Sequence, residues 1–246
     1  MRASPRYHAA EGALPFSVLR EFSAALGINL ALLVVPLTII LLHGLRVPLC
    51  DVGEGIAFFF LLPVAGVCFA VALGLFCTVH YRWPKTMFAA VFLLSIAYAG
   101  YLGYATPAIF SYNLFYGYFP GLSYDELLPL EWPLIAYRVF TLGVAALLVW
   151  LTALIVEHSR PGDSVVRKGY TLVRTLWKEY LHVALGILAL LFLLVVFRCE
   201  LGWESTAGAI RARLGGLKET RHFSIYYDVA TVTPAAAERL GAEHEF

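Results

Sequence analysis

Five runs of apolar residues, at about 22–42, 56–79, 86–106, 133–156 and 180–197, alternate along the chain with polar connections. A helix rising about 1.5 Å per residue needs about 20 residues to cross a hydrocarbon core of about 30 Å, so each run is expected to be a transmembrane helix. The expected fold class is an all-α polytopic membrane protein, a bundle of about five spans over 22–198. A cytoplasmic or interfacial amino terminus, 1–21, precedes it, and a soluble tail, 199–246, follows. Pro36 lies inside the first run, where a kink is tolerated if neighbours repair the lost hydrogen bond. In the second run Gly66, Ala70 and Gly74 recur every four residues. They form either a small-residue stripe for close helix packing or ordinary small positions facing lipid.

The longest interruption is 107–132, which separates three apolar runs from two and carries Tyr112, Phe115, Tyr116, Tyr118, Phe119 and Tyr124. Rings that cannot hide in a long apolar helix are expected at the membrane surface or against a partner, so these six are the candidate contact surface. A tight bend is expected at FPGLSYDE, 119–126, within a re-entrant or surface-lying turn.

Composition strengthens the membrane reading, since 60% of residues are hydrophobic and only 14% charged. A net charge of +1 gives no reason to expect nucleic acid as a partner. The local charges carry more. Arg2, Arg6, Arg20, Arg82, Lys85, Arg160, Arg167, Lys168, Arg174 and Lys178 fall in alternate connections, and the other two loops hold Arg46. The positive-inside rule then puts the amino terminus in the cytoplasm and the carboxyl terminus outside. Val166, Tyr170, Val173, Leu176 and Trp177 give the most basic connection an apolar side, as an amphipathic surface helix requires.

Arg138 lies in the fourth run, seven residues after Glu131 and on the same helical face. It either pairs with Glu131, or with Asp125 or Glu126 folding over the bundle, or snorkels to the headgroups. Cys50 and Cys199 are both expected on the outer face. They form either a disulfide, which needs Cα atoms within about 7 Å, or two separate thiols. His80, His158 and His182 sit at span ends without ligand spacing, so no haem, metal or other cofactor is expected there.

The tail closes with a strand-like HFSIYYD, 222–228, and a helix that Thr233 caps and Pro234 opens. RHFSIYYD, a short loop and an alanine-bearing helix with Glu243 or Glu245 resemble the opening of the peptidase-MA-like domains. These relatives of the gluzincin metallopeptidases are carried by some bacterial membrane proteins outside a multi-span region. The resemblance covers about the last 25 residues. It implies the opening strand and helix of such a domain, on the extracytoplasmic side of a bacterial inner membrane. The HExxH zinc motif of that family comes well after this strand and helix, so no metal ligand is carried over. His244 and Glu245 are adjacent, but the second histidine of that motif is not present.

No complete catalytic motif occurs, and polar positions inside the runs are few. The expected function is that of a multi-pass anchoring or interaction subunit of a larger bacterial membrane complex. Its partners are the lipid bilayer and other membrane or extracytoplasmic subunits, met through the aromatic segment and the tail. The alternatives are the membrane portion of a longer metallopeptidase-like enzyme and a transporter component.

Overall fold

The computed structural model describes residues 14–46, 52–106, 110–120, 130–158 and 163–245. Among the described residues four helices are long and apolar enough to cross a membrane. The first is α1, Leu14–Gly44. The second runs continuously through α2, Val52–Phe59, a π-helical turn, Phe60–Val64, and α3, Ala65–His80. The third and fourth are α4, Pro84–Ala105, and α5, Trp132–His158. Counting as one span the bent pair in which α6, Val165–Glu179, meets α7, Leu181–Val196, at 93° raises the number to five. At about 1.5 Å per residue α7 alone reaches about 24 Å, shorter than any of the other four.

The spans agree with the apolar runs because membrane helices satisfy their backbones internally and expose apolar side chains to lipid. Helix α1 illustrates this, with Ile28, Leu32, Val35 and Ile39 all exposed. Its few polar side chains fold back on the helix itself: Ser23 donates to the Leu19 carbonyl, Asn29 to that of Ala25 and Thr38 to that of Val34.

Helices α3 and α5 form the central pair, with α1 packed on both, α4 against α3, and α6 and α7 against α5. The core consists of Phe69, Ala72, Leu73 and Cys77 of α3 with Ala145 of α5, and Phe22, Phe88, Phe115 and Leu148 close round it. These α3 positions follow the helical period and define one face. Gly66, Ala70 and Gly74 do not act as one stripe. Nothing lies within 4 Å of a Cβ built on Gly74, whereas a Cβ on Gly66 would meet the Phe115 carbonyl. The close approach that Gly66 permits is therefore to a loop, and the neighbour is not another helix.

Between α4 and α5 the chain turns back into the bundle as a β-hairpin. Strand β1, Phe110–Asn113, pairs antiparallel with β2, Gly117–Pro120, in the register Phe110↔Pro120 to Asn113↔Gly117. Its turn falls at Leu114, Phe115 and Tyr116; the bend expected at 119–126 lies, from 121 onward, outside the described residues. Two local devices set it. The Asn113 Oδ1 accepts the Phe115 N–H at 2.8 Å, and Gly117 takes a left-handed φ of 98° that closes a three-residue loop.

Cys77 is buried, and Cys68 and Cys199 are half-buried; all three are free thiols. The bridge expected of Cys199 is therefore not formed with any described cysteine, and Cys50 lies outside the described residues.

Two glycine substitutions separate these roles. Gly66→Ala is expected to cost about 1–3 kcal/mol by overpacking against the Phe115 carbonyl. Gly74→Ala should be neutral, or gain up to about 1 kcal/mol from helix propensity. Thermal unfolding of the two variants in the same detergent checks this, and equal melting temperatures would refute the close approach.

Candidate functional site

The hairpin reaches deep into the bundle. Its Asn113 side chain donates to the Ser95 carbonyl at 3.0 Å, and Ser95 lies midway along α4, about 15 Å from the helix end. Phe115 at the tip enters a cage of Phe69, Phe88 and Phe92, with ring centroids 4.9, 5.9 and 5.1 Å away and planes near perpendicular. Edge-to-face pairs of this kind add about 0.5–1.5 kcal/mol each beyond area burial. Phe115 is thus a core residue, and its place in the expected contact surface is corrected.

Non-helical backbone at this depth needs hydrogen-bond partners from protein, because lipid offers none. Arg138 supplies them. Only 1% of its surface is exposed. Nη1 donates to the Leu114 carbonyl at 3.2 Å and to that of Asn113 at 3.5 Å. Nη2 donates to the Leu62 carbonyl at 3.1 Å. Leu62 lies in the π-helical turn, which contains Pro63; a proline lacks the N–H of a regular helix and crowds the preceding turn. One guanidinium thus serves irregular backbone in two elements, and its planar fork suits two acceptors on different sides. Gly117 makes room for it, since a Cβ there would meet Leu62 and lie 2.5 Å from Arg138 Nη2.

The expected ion pair with Glu131 is not formed. Glu131 is exposed beside the start of α5, while Arg138 points inward to carbonyls. Asp125 and Glu126 lie outside the described residues. The Arg138 Nε is buried with no hydrogen-bond partner.

The same end of the bundle carries an aromatic chain. Tyr118 lies 6.0 Å from Tyr112, Tyr112 5.0 Å from Tyr137, and Tyr137 5.4 Å from Trp203 in an edge-on contact. Trp203 also sits 5.5 Å from Phe140. It is the buried root of the tail, fixed by an Arg198–Glu204 ion pair of 2.9 Å and by Gly202, whose φ of 81° lets the chain cross Pro133. The Glu54 carboxylate accepts the Leu130 N–H at 2.6 Å, tying the start of α2 to the approach to α5. Tyr112, Tyr116 and Tyr118 are half-buried here, and Tyr124 lies outside the described residues.

Beyond Trp203 the tail folds as α8, Ala207–Leu214, β3, Gly215–Glu219, β4, Ser224–Asp228, and α9, Pro234–His244. The strand and helix expected at 222–228 and from Thr233 are present, with the Thr233 Oγ1 accepting the Ala236 N–H at 3.3 Å. Strand β3 and helix α8 are additions; β3 pairs with β4 in the register Gly215↔Asp228 to Glu219↔Ser224. Ala237 and Gly241 of α9 face the sheet, and Lys218 pairs with Glu238 at 2.8 Å. The Arg211 guanidinium lies 4.6 Å over the Tyr226 ring. Glu245 binds His222 through both the backbone N–H and the ring Nδ1, at 2.8 and 2.9 Å.

At the opposite end of the bundle His80 stacks on Phe76, His158 Nδ1 bonds the Leu154 carbonyl, and His182 is exposed. Among the described residues no three His, Cys, Asp or Glu side chains converge as a metal site. A lateral cleft of about 460 Å³ between α1, α3 and α5 is lined by apolar side chains, among them Phe22, Leu26, Leu142 and Trp150. No protein-family model, curated protein or solved structure matches this chain.

Loss of the arginine latch should be costly. Arg138→Leu leaves the Leu62 and Leu114 carbonyls buried and unpaired, a loss of about 2–5 kcal/mol. Arg138→Lys, a single point donor, should recover only part of it. Melting temperatures ranked wild type, Lys, Leu support the latch, and an unchanged Leu variant overturns it. In the tail, the Thr220 hydroxyl and the His222 N–H hold the Glu245 carboxyl below its ordinary value of 4.5. A lowered carboxylate contributes stability above its unfolded value, and that contribution is lost as pH falls through the folded one. Protection of the amides at the end of α9, taken relative to the intrinsic exchange rate at each pH, should therefore fall as pH drops below about 4.5, and Glu245→Gln should abolish that fall.

Proposed function

We propose that the protein is a multi-pass anchoring or interaction subunit of a larger membrane complex, which presents the hairpin end of its bundle and its tail to other subunits. The observation that carries this reading is the Trp203 junction. It roots a small soluble unit on α5 beside the hairpin, so the tail has a fixed base. That unit pairs only two strands, and Leu217, Phe223, Val229 and Leu240 remain exposed. A two-stranded sheet is marginal in water, and exposed apolar side chains of this kind gain from covering by another protein.

The charges support five spans with the amino terminus in the cytoplasm and the tail outside. Arg20, Arg82, Lys85 and the bases of α6 fall at one end of the bundle, and Arg46 and Arg198 at the other. The interior beside the hairpin is filled by packed rings and an arginine engaged by carbonyls, an arrangement suited to holding shape.

The test is native mass measurement of the protein extracted in mild detergent, for the wild type and for Leu217→Asp with Phe223→Ser. The wild type is expected to carry further subunits in fixed proportion and the variant to lose them with its helix content intact. A wild type that runs as the 27.2 kDa chain alone would overturn the reading.

A further inference from the structure

We propose that the outward face of α6 is a binding seat for anionic phospholipid headgroups, which hold this helix in the membrane surface. Helix α6 has three faces at 100° per residue. Lys168, Thr171, Leu172 and Thr175 form the first, which turns to the bundle: Thr175 is buried, and the Lys168 Nζ donates to the Val79 carbonyl at 2.6 Å near the end of α3. The second lies opposite. Val166, Tyr170, Val173 and Trp177 are 82%, 66%, 64% and 70% exposed, a continuous apolar stripe along the whole helix. Arg167, Arg174 and Lys178 form the third, a row beside that stripe.

The bases divide by use. Lys168 caps α3, and the Arg167 Nε lies 3.4 Å from Asp163. Among the described residues Arg174 and Lys178 have no acidic partner, and both stand in the half of the helix that leads into α7. The turn of 93° into α7 sets α6 across the direction of a crossing helix, which is the posture of a helix lying in the membrane plane. Trp150 of α5 lies 6.0 Å from Tyr180 at that turn, which fixes the turn against the bundle.

An apolar stripe alone would fit any greasy surface. Rings stand at two points of the stripe, Tyr170 within it and Trp177 at its end toward α7, with two bases alongside that have no acidic partner among the described residues. Together they fit a headgroup layer that carries negative charge, since aromatic side chains favour that depth and each base near an anionic surface adds attraction. The lipid class is therefore an anionic glycerophospholipid, bound by its phosphate through Arg174 and Lys178 with its chains beneath the Tyr170–Trp177 stripe.

The full-length protein in nanodiscs tests this with chain-brominated lipid, which quenches tryptophan on contact. One set holds a minor share of brominated phosphatidylglycerol in phosphatidylcholine, and the other the same share of brominated phosphatidylcholine. The difference between wild type and Trp177→Phe isolates Trp177. Quenching of Trp177 is expected to be about threefold stronger with the anionic lipid, and to fall toward parity in high salt and in Arg174→Gln with Lys178→Gln. No quenching by either lipid means that protein or water covers the stripe and overturns the proposal. Equal quenching by both lipids in the wild type also overturns it, whatever the double variant does.

Discussion

A backbone carbonyl inside a membrane must find a donor within the protein, and one guanidinium meets that requirement for two irregular elements at once. Arg138 joins the π-helical turn of the second span to the tip of the hairpin that follows the third. Remove it and both elements hold unpaired carbonyls where water does not reach. Its positive charge has no carboxylate against it among the described residues; the partial charges of the carbonyls receive it instead. Burying an arginine this way is expensive in isolation, so the site is stable only as a set. Pro63 opens the turn, Gly66 and Gly117 make space, Asn113 shapes the tip, and Phe115 fills the cage.

From this latch the packing runs outward to the soluble part. Tyr112 on the hairpin meets Tyr137, the residue next to the arginine, and Tyr137 meets Trp203. The hairpin, the first turns of α5 and the root of the tail are therefore one connected body. That body is the feature on which an anchoring role rests, because a surface offered to a partner must be held still.

The spans could be read from the sequence because membrane depth imposes a long apolar run, which polar residues interrupt only singly in 22–42 and at Arg138, Thr141 and Thr152 in 133–156. The hairpin could not. Its strands, FSYN and GYFP, are four residues each and carry no clear alternation, and their rings look like those of a surface loop. Phe115 and Tyr112 are nearly adjacent in sequence, yet one fills the core and the other lines the bundle end, a distinction made only by the fold. The importance of Arg138 was legible, but sequence reasoning looks for an opposite charge, and carbonyl acceptors carry no letter of their own. Pro63 within an apolar run and the spacing of Asn113 and Gly117 around three residues were the available cues. In the tail, Thr233 followed by Pro234 announced α9, whereas the glycines of LGGLKE concealed β3.

The order of the latch along the chain has its own meaning. Leu62, Asn113 and Leu114, whose carbonyls receive the guanidinium, all precede Arg138. A ribosome working from the amino terminus makes every acceptor before it makes the donor. The costliest charge to place in hydrocarbon thus emerges last into a setting already complete, and α5 acts as the bolt that closes what the earlier helices have assembled.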